Sequence, residues 1–162
     1  MPETAHPEKA LQEAFPEPKV NVLLVDDQPA NLLSVEAILQ DPKLNLIKAL
    51  SGEEALRRLL VDDFAVILLD VQMQGLDGYE TAKLIRGREK SRHTPIIFLT
   101  AYEDNRLPVA EAYALGAVDY LVKPLIPVIL RAKVAGFVEL FQKTEQVRRQ
   151  AEQLRQIERR DF

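Results

Sequence analysis

Apolar residues fall in two alternating rhythms along this chain. Runs of four to eight largely apolar residues at 20–25, 44–49, 64–69, 95–99 and 118–122 are bounded by turn formers or charges, the mark of buried strands. Between them the spacing turns helical. Leu32, Val35, Ile38 and Leu39 share one face of a segment at 31–39. Ser51-Gly-Glu-Glu54 is a capping box that opens a second helix through about residue 60. A third follows the loop 72–78 and runs to about Gly87, and a fourth near 108–115 closes at Gly116, a C-cap. Strands alternating with helices predict an α/β domain, a parallel sheet with helices on both faces. Parallel strands buried on both faces read as unbroken apolar runs, as most of these do.

The two ends of the chain depart from that rhythm. Residues 1–19 carry four Pro and four Glu with few large apolar residues; they predict a disordered tail, with one helical turn around 10–15. From Phe137 onward, Phe137, Leu140, Thr144, Val147, Ala151, Leu154 and Glu158 are spaced alternately by three and four, a heptad seam that continues the fifth helix outward. Residues 142–162 hold no Gly or Pro, so the helix is unbroken in sequence. The 22 residues from 137 to 158 would span roughly 33 Å.

Composition narrows the class. At 162 residues with 47% apolar content, the chain suits one domain with a short appendage. A net charge of −4 does not point to nucleic acid. No run approaches the ~20 apolar residues of a membrane span, and the acidic, Pro-rich start is unlike a signal peptide. The absence of Cys excludes disulfides, thiolate metal sites and cysteine catalysis. A cytoplasmic location fits.

The chemistry lies where the strands end. The first delivers Asp26 and Asp27, the third Asp70, the fourth Thr100, and the fifth Lys123-Pro124. In a parallel sheet these ends share one edge, where ligands bind. Each residue alone is ordinary, a turn, a cap or a surface lysine, but their joint occurrence is not. Three clustered carboxylates repel unless a cation compensates, and all-oxygen donors select Mg²⁺. A hydroxyl and an ammonium complete what phosphoryl oxygens need. A cis bond at Lys123–Pro124, open to X–Pro sequences, would turn the lysine into the pocket.

Four stretches carry a resemblance: Leu-Leu-Val-Asp-Asp-Gln-Pro at 23–29, Ile-Leu-Leu-Asp-Val-Gln-Met at 67–73, Phe-Leu-Thr-Ala at 98–101, and Gly-Ala-Val-Asp-Tyr-Leu-Val-Lys-Pro at 116–124. Together they resemble response regulator receiver domains over residues 20–136. That resemblance implies a flavodoxin-like, doubly wound five-stranded sheet of order 2-1-3-4-5. It implies that Asp70 accepts a phosphoryl group from a phosphohistidine of a partner histidine kinase or phosphotransfer protein. It implies that Asp27, Asp70 and the Gln72 carbonyl hold Mg²⁺, with Asp26 acting mainly through water. Thr100 and the Ala101 amide would bind phosphoryl oxygens, and Lys123 would pair with them. Tyr120 matches an aromatic that moves inward with Thr100. One departure stands out: the family usually has Pro where this chain has Gln74, which predicts a more mobile loop and an altered phosphoryl lifetime.

Two other functions compete with a phosphorylation switch. A Mg²⁺-dependent phosphatase working through an aspartyl phosphate uses the same residue types, but it usually places Asp-x-Asp on its first strand. Here Asp26 and Asp27 are adjacent and the nucleophile candidate is on the third strand. A scaffold that has lost phosphorylation is disfavoured by the presence of all five key residues. The expected output route is the terminal helix, as a parallel homodimer through 137–158 leading toward an output domain of a hybrid histidine kinase or cyclase. Its seam is weak, because Lys143 would face Arg148 and Gln150 would face Arg155 across a parallel dimer. Glu145 is expected to pair with Arg149 in its own helix.

Overall fold

A computed structural model of the chain describes residues 18–101 and 109–160. Residues 1–17 of the tail expected at 1–19, the segment 102–108 and residues 161–162 lie outside the described residues. Ten elements alternate in order: β1 (Val20–Val25), α1 (Pro29–Leu39), β2 (Leu44–Ala49), α2 (Gly52–Val61), β3 (Val66–Asp70), α3 (Gly78–Arg86), β4 (Ile96–Ala101), α4 (Val109–Ala114), β5 (Ala117–Lys123) and α5 (Pro127–Arg160). The strands form one parallel sheet of order β2-β1-β3-β4-β5. The expected fold is therefore the observed one: flavodoxin-like, with a long C-terminal helix.

The period-2 alternation of the strands sorts their side chains between two cores. Leu23, Val25, Ile67, Leu69 and Phe98 point to one face, against Leu56, Leu59, Tyr79, Ala82 and Ile85 of α2 and α3. Val22, Leu24, Val66, Leu68, Ile97 and Leu99 point to the other, against Leu32, Val35 and Leu39 of α1 and Leu130, Val134 and Val138 of α5. All five residues of β3 are buried, which its unbroken apolar run required. Burying each such Val, Leu or Ile contributes about 1.5–3 kcal/mol, so the central strands are firmly anchored.

Local signals set the helix ends. The Ser51 hydroxyl accepts the Glu54 N–H at 3.1 Å, while the Glu54 carboxylate accepts the N–H of Leu50, not that of Ser51. The capping box thus closes one residue further back than its pattern predicts. Asp77 caps α3 by accepting the Glu80 N–H at 2.8 Å. Gly116 ends the α4 turn at φ +77°, a conformation that a Cβ disfavours.

Helix α5 is continuous for 34 residues, roughly 51 Å, and no break separates the domain from its extension. Leu130, Val134 and Val138 dock it on the sheet, with Phe137 and Phe141 packed partly against the same core. Phe137 therefore belongs to the domain, and the free seam begins at Leu140. From there Leu140, Val147 and Leu154 are exposed. Lys143 pairs with Glu139, Arg148 with Glu145, and Arg155 with Glu152, all within α5. The partner of Glu145 is thus Arg148, three residues on, rather than the expected Arg149.

Candidate functional site

Because β1, β3, β4 and β5 are consecutive neighbours in the sheet, their carboxyl ends form one edge. Asp26 and Asp27 follow β1 directly. Asp70 closes β3, Thr100 and Ala101 close β4, and Lys123 closes β5. Register places Asp70 beside Leu99, Thr100 beside Val122 and Ala101 beside Lys123. The Lys123–Pro124 peptide is cis. Gly78 lets the start of α3 approach this edge: its N–H donates to the Val71 carbonyl at 2.9 Å, and a Cβ there would lie 2.3 Å from the Asp70 carbonyl oxygen.

Asp26 and Asp70 are buried, with 5% and 4% of their surface exposed, so their charges must be answered within the protein. The Lys123 ammonium lies 3.1 Å from Asp70 Oδ2 and 3.7 Å from Asp26 Oδ2. Asp70 Oδ1 accepts the Gln72 N–H at 3.0 Å, and Asp26 Oδ1 accepts the Gln28 N–H at 2.9 Å. One ammonium does not balance two buried carboxylates. Burial first, then a hydrogen bond and charge repulsion from Asp70, push the Asp26 carboxyl up to about 6, against the opposing pull of the Gln28 amide and Lys123. Asp26 thus holds its proton up to about pH 6, and above that a divalent cation would supply the missing positive charge.

Asp27 is placed differently. Half-buried at the mouth of the edge, its Oδ2 accepts the main-chain N–H of Gln74 at 3.0 Å. The residue that replaces the family's usual Pro therefore ties its loop to β1 through an N–H that Pro lacks. Among the described residues, no three Asp, Glu or His side chains are arranged to hold a metal ion as they stand. The donor chemistry at this edge nonetheless suits Mg²⁺: carboxylate and carbonyl oxygens, with surplus negative charge.

Thr100 is buried, and its hydroxyl donates to the Ala101 carbonyl at 3.2 Å. The Tyr120 ring packs edge-on against Phe98 at 6.2 Å, and its hydroxyl lies 2.8 Å from that of Tyr79. Phe98 in turn meets Tyr79 edge-on at 5.1 Å. Tyr79 is a site neighbour that the sequence reading leaves out. Its signal is there, an aromatic with a polar tip on the core face of α3, in step with Ala82 and Ile85, but only the fold shows what that tip meets.

A family model for the response regulator receiver domain matches residues 22–135. The chain is 36% identical over 127 residues to the sensor histidine kinase GacS of Pseudomonas protegens, covering 75% of this chain and 13% of that protein. It is 32% identical over 139 residues to the cyclic di-GMP phosphodiesterase response regulator RpfG of Xanthomonas campestris, covering 85% of this chain and 36% of that protein. Among solved structures, a receiver domain of a Pseudomonas aeruginosa sensor histidine kinase, described with a magnesium ion coordinated in its active site cleft, superimposes with a TM-score of 0.65 at 31% identity, covering 75% of this chain and 98% of that one. The chain belongs to the response regulator receiver family and is a receiver domain of two-component signalling. It spans only 13% and 36% of the length of the two curated relatives. No helix among the described residues is long and apolar enough to cross a membrane.

Proposed function

We propose that this chain is a phosphorylation-controlled switch in which Asp70 accepts a phosphoryl group from a phosphohistidine of a histidine kinase or phosphotransfer protein. The observation that carries this reading is the buried Asp70 carboxylate at the carboxyl edge of the sheet, with the Lys123 ammonium 3.1 Å away and Asp26 beside it. An Asp70 oxygen attacks phosphorus, the phosphorus–nitrogen bond breaks, and the imidazole leaves with the electron pair. Little covalent work falls to the protein, so catalysis is positioning and charge neutralisation. Asp26, Asp27, Asp70 and the Gln72 carbonyl are the residues that would hold Mg²⁺, which when bound neutralises charge on the incoming group. Lys123 holds Asp70 and pairs with the phosphoryl oxygens. The Thr100 hydroxyl exchanges the Ala101 carbonyl for one of those oxygens, and the Ala101 amide donates to another.

Phosphorylation replaces one negative charge with about two, and Thr100 moving toward it changes the packing beside Tyr120. Output runs through α5 as a parallel homodimer. Its seam is better suited to self-association than its sequence alone suggests, because Lys143, Arg148 and Arg155 each have an acidic partner on their own helix. These exposed pairs are weak, but they blunt the repulsion between copies.

Three experiments test the reading. Asp70→Ala is expected to abolish uptake of label from acetyl phosphate and from a cognate kinase; retained uptake would show that another residue is the acceptor. Rapid turnover of a small phosphomonoester would favour the phosphatase instead. Sedimentation with and without beryllofluoride should show a concentration-dependent dimer, and the seam substitutions Val147→Asp and Leu154→Asp should remove it; a monomer at every concentration would sink the dimer.

A further inference from the structure

The contact between Asp27 and Gln74 serves none of the steps above. It lies in the loop 71–77 between β3 and α3, whose two ends are secured separately. At the start, the Gln72 N–H donates to Asp70 and the Val71 carbonyl accepts the Gly78 N–H. At the end, Asp77 caps α3, and Gly75 turns the chain at φ +74°. In the middle, the Gln74 N–H reaches across 47 positions in sequence to Asp27 Oδ2 at 3.0 Å. The Gln74 side chain is exposed, so the link depends on the peptide group and every residue except proline could supply it.

The carboxylates of the site are not equally committed. Asp70 engages the Gln72 amide and Lys123, and Asp26 is buried against Asp70. Of the three, only Asp27 is half-exposed, and its Oδ2 is engaged by the loop. We infer that the Gln74 N–H is a latch that competes with a divalent cation for the Asp27 carboxylate, so that this loop sets the Mg²⁺ affinity of the site and is released when the ion binds. Asp27 Oδ2 accepts the Gln74 N–H, and a cation drawing on that oxygen weakens it as an acceptor, so the two partners oppose each other at one atom. Coupling is reciprocal: whatever affinity the latch withholds from the ion, the ion withholds from the latch. The inference rests on the metal role proposed above for Asp27.

Isotope-labelled protein titrated with MgCl₂ tests it, with Gln74→Pro, Gln74→Ala and Asp27→Asn alongside. In the unsubstituted chain, saturating Mg²⁺ should speed hydrogen exchange of the Gln74 amide severalfold while the core strands stay protected. Gln74→Pro removes the N–H and should bind Mg²⁺ about three- to tenfold more tightly, the range spanned by losing one partly solvated hydrogen bond. Gln74→Ala keeps the N–H and should bind like the parent. A Gln74 amide equally protected with and without Mg²⁺, or a folded Gln74→Pro chain no tighter than Gln74→Ala, overturns the latch. If Gln74→Pro does not fold, the amide exchange of the parent decides alone. Asp27→Asn reports separately on the underlying reading: unchanged Mg²⁺ affinity in that variant would remove Asp27 from the metal site, and the latch with it.

Discussion

At the amino-terminal edge of the sheet, Arg86 closes α3 and commits its guanidinium to main-chain carbonyls. Nε donates to Leu115 at 2.7 Å, one terminal nitrogen to Thr94, Arg92 and Ser91 at 2.7, 3.0 and 3.3 Å, and the other to Gly116 at 2.7 Å. It thereby ties the turn after α4 to the loop before β4. A side chain on Gly116 would intrude on it, since a Cβ there lies 2.6 Å from Arg86 Nε. Burial lowers the Arg86 pKa, yet each nitrogen of its planar fork meets a carbonyl oxygen, as the geometry of a guanidinium allows. At the opposite edge, Asp26 and Asp70 are buried side by side with one lysine between them. One edge has its charge answered by the fold. The other carries charge that the fold leaves unbalanced, and on that difference rests the proposal that this edge, not the first, does chemistry.

Removing each charge should therefore have opposite signs. Arg86→Ala is the larger effect. It strands several half-buried carbonyls and is expected to cost about 2–4 kcal/mol in chemical denaturation, with Arg86→Lys recovering less than half, because a compact ammonium cannot reach both sets of carbonyls. Label uptake at Asp70 should persist while the variant stays folded. A cost below about 1 kcal/mol would break the contrast from this side.

Asp26→Asn should stabilise. The folded state holds the Asp26 proton up to about pH 6, against 3.8 for the unfolded chain. Between those values the folded state binds more protons, so this residue makes stability fall as pH rises from about 4 to about 6 and then level off. A shift of that size corresponds to at most about 3 kcal/mol, part of it shared with Asp70. The Asn variant is expected to gain about 1–2 kcal/mol at pH 7.5 and progressively less toward pH 5. Denaturation at the two pH values checks the sign, and a variant less stable at pH 7.5 would show the edge to be balanced after all.

The smallest effect sharpens the comparison rather than testing it. Tyr79→Phe removes one of the two hydroxyls paired at 2.8 Å while leaving the edge-on packing on Phe98. It should cost about 1 kcal/mol or less and should broaden the ring signals of Tyr120 in NMR spectra. Unchanged Tyr120 signals would mean that Phe98 packing, not the hydroxyl pair, holds that ring.

Much of this is legible in the order of residues. The strands of the sheet are apolar runs, and the caps of α2 and α3 are Ser and Asp three residues before a Glu. Asp26, Asp27, Asp70, Thr100 and Lys123 sit at the ends of β1, β3, β4 and β5 because each follows or closes such a run. What misleads is close in sequence but finer than the pattern resolves. Glu54 reaches Leu50 rather than Ser51, and Glu145 meets Arg148 rather than Arg149, because side chains of that length bridge three positions as well as four. Gln74 in place of Pro offers the loop a main-chain N–H, and residue order does not show that this N–H meets Asp27.

Hydrophobic period, caps and turn formers act within a few residues of one another, so the elements, their order and the candidate residues at the strand ends can be read from residue order alone. Which groups meet depends on how those elements pack: the Gln74 amide with Asp27, the Tyr79 hydroxyl with that of Tyr120, and the Arg86 guanidinium with the carbonyls of Leu115 and Gly116. Those partners are about 30 to 47 positions apart. Main-chain N–H and C=O groups are the same in every residue but proline's missing N–H, so a sequence can mark a carboxylate without naming the amide that will hold it.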